Sequence, residues 1–184
     1  MARRYIVQFY DKKLRTWRTS RTEWMKGTDL SLERAEGLRD LLLRRGLRAR
    51  IRAAVTPEQV KLKFIRTHLT GDLELPADAA HRKAFIDLLY RVAKAAKSCG
   101  EIWNINSGYR SYAEQTALYN AYLAGTGNLA ARPGTSNHEG GRAVDVSGAD
   151  GSAVGRSSKR ANACAAQGLC FPVVGEPWHI EIRR

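Results

Sequence analysis

Two short stretches of the sequence carry the residue types of a catalytic metal site. The first is residues 136–145, Ser-Asn-His-Glu-Gly-Gly-Arg-Ala-Val-Asp, and the second is residues 176–181, Glu-Pro-Trp-His-Ile-Glu. Two imidazoles and a carboxylate, from His138, Asp145 and His179, supply three ligands and leave a fourth position for water, as a catalytic zinc site requires. The three cysteines are not spaced in CxxC pairs, which argues against a closed structural zinc site.

The first stretch is predicted to place His138 close to Asp145. Small and β-branched side chains at residues 142–146 are typical of a short strand, in which residues two apart share a face. Gly140 and Gly141 precede this strand and permit a sharp turn, because glycine lacks the Cβ atom that restricts other residues. A short loop can therefore bring the imidazole back to the carboxylate.

The second stretch is predicted to be a strand that carries a ligand, with a base at its entrance. Pro177 disfavours a helix, and residues 178–182 alternate like a strand that places His179 and Glu181 on one face. Glu176 stands just before this strand, where its carboxylate can act as a base without ligating the metal. Glu181 is the competing candidate for the base. The alternative role for Glu181 is to orient a metal ligand through a hydrogen bond without binding the metal.

These stretches fit the motifs SxHxxGxAxD and ExWHxE, and an upstream segment fits SGYRS followed by Glu-Gln, at residues 107–111 and 114–115. The combination resembles the zinc D-Ala-D-Ala carboxypeptidases, in the wider group that also contains lysostaphin-type endopeptidases and hedgehog domains. The resemblance covers roughly residues 62–184, with every motif position filled and in order. It implies a zinc peptidase that acts on the peptide of bacterial peptidoglycan.

The resemblance also implies a role for each matching residue. One zinc ion per chain would be held by His138, Asp145 and His179. Glu176 would be the catalytic base, and Arg110 would stabilise the developing oxyanion and bind a substrate carboxylate. The implied substrate-binding residues are Ser136, Gln115 and Tyr109.

Each of these residues also has an ordinary structural interpretation. Alone, His138 fits a surface loop histidine, His179 a hydrogen-bonded strand residue and Asp145 a turn cap. These three residues and Glu176 together fit one pattern of spacings. This agreement favours a shared metal site over a separate structural role for each residue. The other histidines, His68 and His81, do not belong to a motif with further candidate ligands and are assigned no role.

The composition indicates a globular protein with an anionic partner. The chain has 184 residues, 43% of them hydrophobic, and no apolar run approaches the ~18 residues of a membrane span. Its formal net charge is +13, and residues 1–54 contain 15 Lys/Arg against 6 Asp/Glu. Such a charge favours nucleic acid, anionic lipid or phosphate-bearing wall polymers as partners, unless it serves only solubility.

Residues 1–54 are predicted to form a separate basic module of ββαβ order. Two strand-like segments precede a helix that begins at Ser31, and a further strand over residues 47–53 alternates apolar with basic side chains. The alternation places three arginines on one face, namely Arg48, Arg50 and Arg52. We expect this face to hold the protein on an anionic wall polymer; the equally weighted alternative is that the module only completes the fold.

Residues 55–184 are predicted to form a peptidase domain of the α+β class, with a small antiparallel sheet flanked by helices. A long helix should stop at Gly100, and the next strand leads into the segment that contains Arg110. Ser111 fits the start of a capping box, so another helix follows directly. Residues 60–69 fit either a strand or a docking segment.

The three cysteines, Cys99, Cys164 and Cys170, do not form a framework of pairs. An odd number without framework spacing fits a chain made in reducing surroundings. Cys164 and Cys170 are close enough in sequence to pair once the protein reaches an oxidising environment.

The start of the sequence lacks the features of an ordinary export signal, because the apolar segment after the basic residues is short. Together with the implied substrate and the basic module, this favours a phage-type endolysin that is made in the host cytoplasm and acts on the wall as a monomer. The bond cut is either the terminal D-Ala bond or one within the stem peptide or cross-link. The rivals are an inactive, hedgehog-like zinc module that binds the wall and a nucleic-acid-binding protein, for which no zinc-finger or RNA-binding motif is present.

Overall fold

The chain forms two compact units, Met1–Pro57 (unit 1) and Glu58–Arg184 (unit 2). A computed structural model describes residues 5–13, 15–19 and 30–183. The division expected from the sequence lies after residue 54. The basic residues at the start of the chain, 1–4, lie outside the described residues.

Unit 1 is a three-stranded antiparallel sheet with one helix. Its elements in chain order are β1 (Tyr5–Asp11), β2 (Thr16–Thr19), α1 (Leu32–Arg44) and β3 (Ala49–Ala53). The strand order is β2-β1-β3, and the predicted ββαβ order is confirmed. The Ser31 hydroxyl accepts a hydrogen bond from the Arg34 amide and caps α1. The helix then buries Ala35 and Leu38 with Val7 of β1.

Unit 2 has the predicted α+β architecture. Its elements are α2 (Pro57–His68), β4 (Leu69–Gly71), α3 (Ala79–Cys99), β5 (Trp103–Ser107), α4 (Tyr112–Leu123), β6 (Ala143–Ser147), a 3-10 helix (Val154–Arg156), α5 (Ser158–Ala166), β7 (Leu169–Cys170) and β8 (His179–Ile182). The sheet order is β4-β5-β6-β8-β7, antiparallel except for the edge pair β4–β5. None of the helices in the described part of the chain has the length and apolar character of a membrane span.

Helix α3 contributes most to the hydrophobic core of unit 2. The Asp78 carboxylate caps its first turn, and Gly100 ends it in the left-handed conformation at φ +73°. Fully buried α3 side chains share one cluster with residues of β5, β6 and β8, among them Phe85, Leu88, Leu89, Val92, Trp103, Ile105, Val144, Val146 and Ile180. Burying a side chain of this size contributes about 1.5–3 kcal/mol, so this cluster fixes the central strands of the sheet.

Residues 60–68 are helical, and the predicted strand or docking segment is wrong there. Helix α2 begins at Pro57, a residue favoured at the first helical position, and it buries Ile65 in the core. The apolar residues of this segment fit neither period cleanly, so packing decides the outcome. Leu69, the last residue of the predicted segment, begins β4.

All three cysteines are free thiols. Cys99 and Cys164 are buried and Cys170 is half-buried, so the pair between Cys164 and Cys170 that the sequence permits is not formed. Burial, followed by the neighbouring Cys99, raises the pKa of Cys164 to about 12. A thiol with such a pKa is a poor nucleophile near neutral pH.

A buried arginine ties α5 to the start of β5 and to the loop after β6. Arg160 is 7% exposed, and its guanidinium donates to Glu101 Oε2 at 2.8 Å and to Asp150 Oδ1 at 2.9 Å. The Trp103 indole donates to the same Glu101 oxygen at 2.8 Å. The bond to Asp150 raises the pKa of Arg160, and a side chain at Gly148 would collide with the guanidinium. This network therefore belongs to the folded core.

Replacing Arg160 by alanine is expected to lower the free energy of unfolding by about 3 kcal/mol, because Glu101 would keep a partly buried charge without its cation. Urea denaturation followed by tryptophan fluorescence measures the change. The control is Arg156→Ala, which removes an exposed arginine nearby and should cost less than about 0.5 kcal/mol. Equal stability of the two variants would contradict the proposed contribution of Arg160.

Candidate metal centre

The three candidate ligands meet at one end of the β6–β8 pair. Asp145 of β6 lies directly opposite His179 of β8 in the antiparallel register. His138 precedes β6 in a loop that turns back through Gly141, at φ +63°. A Cβ atom at Gly141 would lie 2.7 Å from the carbonyl oxygen of His81 in α3, so glycine is required for this close approach.

The donor atoms of the three residues are spaced for a single ion. His138 Nε2 lies 3.7 Å, and His179 Nδ1 lies 3.1 Å, from the same atom, Asp145 Oδ1. One donor atom from each residue can be chosen so that all lie within 4.8 Å of one another. Tetrahedral ligands bound at about 2.0–2.2 Å are about 3.4 Å apart. The set of two nitrogens and one carboxylate oxygen therefore fits one zinc ion.

Hydrogen bonds behind the histidines decide which ring nitrogen faces the site. We assign the proton of His138 to Nδ1, which donates to the carbonyl oxygen of Gly108 at 2.8 Å, so the lone pair of Nε2 faces Asp145. In His179, Nε2 donates to Glu181 Oε1 at 3.0 Å, and Nδ1 faces Asp145. The two imidazoles therefore present different nitrogens to the ion.

Glu181 is itself held in place by a second hydrogen bond. The Asn137 side-chain amide donates to Glu181 Oε1 at 2.8 Å, the same oxygen that accepts from His179. A carboxylate that accepts from the far nitrogen of a ligand histidine fixes the orientation of the ring and raises its basicity. This geometry favours the orienting role for Glu181 over the role of base.

The site combines burial with mutual stabilisation of opposite charges. His138 and His179 are 5% and 8% exposed. Burial raises the pKa of Asp145, but hydrogen bonds from the protonated forms of His138 and His179 outweigh this effect, and the net pKa lies well below its usual range. Burial lowers the pKa of His179, but the hydrogen bonds that its doubly protonated ring donates to Asp145 and Glu181 outweigh it, and the net pKa is raised. Asp145 thus stays ionised between two imidazoles, an arrangement that a cation can enter.

Glu176 occupies the turn that leads into β8. Its carbonyl oxygen accepts a hydrogen bond from the His179 amide at 3.0 Å, which fixes its backbone relative to that ligand. Its side chain is half-buried, and within the described residues its carboxylate makes no hydrogen bond or ion pair. Unlike Asp145 and Glu181, this carboxylate is uncommitted, as a base that exchanges protons with substrate must be.

Arg110 is fixed from both sides at the junction between β5 and α4. Its Nη1 donates to Gln115 Oε1 at 2.8 Å and its Nη2 donates to Ser107 Oγ at 2.9 Å. The Arg110 amide donates to the carbonyl oxygen of His138 at 3.3 Å, which joins this segment to the ligand loop. Gln115 is fully buried, and its amide nitrogen donates to the carbonyl oxygen of Ala131 at 2.7 Å. Gln115, predicted to contact substrate, therefore lies behind Arg110 and supports it.

The other two predicted substrate contacts lie in the ligand loop and against α3. The Ser136 hydroxyl is half-buried and accepts from the His138 amide at 3.3 Å, so it shapes the ligand loop. The Tyr109 ring is half-buried, with its centroid 6.3 Å from that of His81 and 6.4 Å from that of Phe85 on α3. Substrate binding by Ser136 and Tyr109 stays a prediction.

Sequence reasoning missed Asp72, which supports the site from the end of β4. Asp72 Oδ2 accepts from the Gly108 amide at 2.7 Å, and the Gly108 carbonyl in turn accepts from His138. A Cβ atom at Gly108 would lie 2.8 Å from the Asp72 carbonyl oxygen and 3.1 Å from Phe85, so glycine is required there too. No sequence signal pointed to Asp72, because its partner is 36 residues away. Asn137 lies inside the first motif, but nothing in the motif indicated its bond to Glu181.

The chain shows partial likeness to solved structures of two carboxypeptidases and a D,D-pentapeptidase. The LdcB LD-carboxypeptidase is 25% identical over 61% of this chain and 65% of that chain, with a TM-score of 0.45. The L,D-carboxypeptidase DacB of Streptococcus pneumoniae is 29% identical over 59% and 67%, with a TM-score of 0.39. The D,D-pentapeptidase VanY of a VanB-type vancomycin-resistance cassette, an alanine mutant in complex with Zn(II), is 26% identical over 60% and 78%, with a TM-score of 0.38. This chain thus spans less than two thirds of the LdcB chain. A comparison of this chain with curated proteins found no match.

Replacing Glu181 by alanine is expected to weaken binding of Zn2+ by about 10–100-fold, because His179 loses the acceptor that orients its ring. Competition with a chromophoric chelator measures the affinity. Glu181→Gln keeps an oxygen acceptor for both hydrogen bonds and should retain most of the affinity. Wild-type affinity in the alanine variant would contradict the orienting role.

Part of unit 2 matches the model of a known protein family. The model described as VanY, D-alanyl-D-alanine carboxypeptidase, matches residues 79–169. This segment runs from the start of α3 to β7 and contains Arg110, His138 and Asp145. Glu176 and His179 follow it, and β8 joins His179 to the matched strand β6. Residues 79–169 of the chain are therefore similar to the VanY D-alanyl-D-alanine carboxypeptidase family.

Proposed function

We propose that the protein is a zinc-dependent peptidase that hydrolyses peptide bonds of bacterial peptidoglycan. The observation that carries this proposal is the convergence of His138 Nε2, His179 Nδ1 and Asp145 Oδ1 on one small volume. The uncommitted carboxylate of Glu176 supports it, because the backbone of Glu176 is hydrogen-bonded to the ligand His179. The match of residues 79–169 to the D-alanyl-D-alanine carboxypeptidase family model supports the substrate class. All of these groups come from one chain, so a monomer suffices for the reaction.

A zinc ion bound by the three ligands would lower the pKa of a water molecule to about 7 and polarise the scissile carbonyl. Glu176 would take the proton of the attacking water and pass it to the leaving amine, a role open to it because its carboxylate has no other partner. Arg110 uses one N–H each on Gln115 and Ser107, and its other side-chain donors are available for the developing oxyanion or for a substrate carboxylate.

A catalytically inactive zinc module that binds the wall is the second candidate. A module that only binds zinc would need the three ligands and the hydrogen bonds that orient them, and no catalytic base. The uncommitted Glu176 carboxylate favours the peptidase, because a binding module gains nothing from a half-buried charge left unpaired.

Replacing Glu176 by glutamine should abolish hydrolysis while the protein still binds one equivalent of zinc. Loss of a general base costs typically 10²–10⁴-fold in rate, and the ligands themselves are unchanged. Release of free amine from a peptidoglycan peptide measures activity, and metal analysis of the purified variant measures zinc. Glu74→Gln, which neutralises an exposed carboxylate outside the site, is the control; comparable activity in both variants would refute the assignment.

We further propose that the enzyme acts as an endolysin, cutting within the stem peptide or cross-link. A single basic chain that combines this peptidase unit with the cationic unit 1 suits attack on an anionic wall. Mass spectrometry of products from defined cross-linked muropeptides should then show two peptide fragments, and cells with permeabilised membranes should lyse. The endolysin role would be overturned if the enzyme released only alanine from pentapeptide stems and the permeabilised cells did not lyse. The protein would then be a carboxypeptidase.

A further inference from the structure

Unit 1 presents three arginines on the face of its sheet that lies opposite α1, and two of them, Arg48 and Arg50, contact aromatic rings. Helix α1 packs with Val7 and Ile51, which are register partners on β1 and β3. Side chains alternate along a strand, so Arg50 and its partner Gln8 lie on the other face. Arg48 has the same parity as Arg50 and lies on that face as well.

Aromatic rings hold both guanidinium groups in place. We call the group Tyr10, Trp17, Arg48 and Arg50 the Trp17 cluster. Arg50 Cζ lies 4.0 Å from the centroid of the Trp17 ring, and its Nε donates to Gln8 Oε1 at 3.1 Å. Arg48 Cζ lies 5.2 Å from the Tyr10 ring and 5.9 Å from the Trp17 ring. Stacking occupies the flat face of a guanidinium and leaves its in-plane N–H donors available.

Within the described residues, the Trp17 cluster concentrates positive charge without a carboxylate. Among the described residues, neither Arg48 nor Arg50 has an acidic partner. Exposed Arg52 follows two residues later, and partial burial together with the Arg52 charge lowers the pKa of Arg50. A bound anion would relieve this repulsion, and its hydrogen bonds would meet guanidinium groups whose orientation is already fixed.

We infer that the Trp17 cluster is a phosphate-binding site that holds the protein on a phosphodiester-linked polymer of the bacterial wall. Each arginine fork matches the oxygens of a phosphate group, and a repeating polymer offers many equivalent contacts to one site. Nucleic acid fits less well, because Arg50 already covers the Trp17 ring and sequence-tolerant binding of single strands relies on free aromatic faces. The wall as the source of the polymer rests on the proposed function; the phosphate site does not.

The full-length Glu176→Gln protein tests this inference without interference from hydrolysis. Its binding to a synthetic poly(glycerol phosphate) is measured by titration calorimetry at two salt concentrations. The double variant Arg48→Gln/Arg50→Gln should bind at least 10-fold more weakly. The matched control is Arg44→Gln/Arg45→Gln, which removes the same charge from exposed positions at the end of α1 and should change the affinity less than 2-fold. Equal losses in the two double variants would overturn the proposal in favour of unspecific attraction.

A charge-neutral variant separates a built site from net charge. Trp17→Leu removes the stacking surface at unchanged charge and should weaken binding about 5-fold, whereas Trp17→Phe keeps an aromatic ring and should restore most of the affinity. Circular dichroism confirms that both variants keep the fold. Unchanged affinity in the folded leucine variant would overturn the role of the ring.

Two further polymers test the class of ligand. Polyglutamate of equal charge should bind at least 10-fold more weakly than poly(glycerol phosphate); equal binding would overturn phosphate recognition. A single-stranded oligonucleotide that binds more tightly and responds to the same variants would overturn the wall polymer in favour of nucleic acid. Because no hydrolysis is measured, failure here leaves the peptidase proposal intact, and an inactive peptidase would leave the phosphate site intact.

Discussion

The pairing of β6 with β8 is the constraint on which the site depends. It sets Asp145 opposite His179, so one carboxylate oxygen can serve two imidazoles. A slip of one residue would turn Asp145 toward the opposite face of the sheet, because side chains alternate along a strand. The buried residues Val144, Val146 and Ile180 prevent this slip, since it would expose them to solvent.

Among the described residues, hydrogen bonds fix the polar groups that support the ligands around this pairing, whereas the carboxylate of Glu176 makes none. His138 is held by the carbonyl of Gly108, whose amide is held by Asp72, and His179 is held by Glu181. Such outer hydrogen bonds supply the precision that ligands on short strands and loops would otherwise lack. Glu176 is the exception, since its backbone is fixed and its carboxylate is not. A rigid ligand set and an uncommitted carboxylate on the turn before His179 are the groups that the proposed hydrolysis by a positioned water would require.

Four arginines of the chain are held in three physically different environments. Arg160 is buried with carboxylates and stabilises the fold of unit 2. Arg110 is held by neutral side chains, which orient it and leave its charge available to a reacting group. Arg48 and Arg50 are held by aromatic rings at a surface, where an external anion can reach them. The same net charge would follow from any arrangement; the partners of each guanidinium decide what it can do.

Features encoded by neighbouring residues could be predicted from the sequence. The caps at Ser31, Asp78 and Ser111 and the stop at Gly100 are local, because their hydrogen bonds join residues a few positions apart. The ligand types and their spacing were also apparent, because metal chemistry restricts which side chains can serve. Helix α2 was not predicted, because its apolar pattern is ambiguous without the core against which Ile65 packs.

The sequence by itself determined the α+β class, the ββαβ order of unit 1 and the candidate ligands, since each depends on a local pattern or on the intrinsic chemistry of a side chain. Only the tertiary structure decided which nitrogen of each histidine faces the ion, that Glu181 lies behind His179, and that Gln115 is buried behind Arg110. It alone revealed Asp72 behind Gly108. These relations depend on hydrogen bonds and packing between segments far apart in the chain, and the position of a distant partner is set by the fold as a whole.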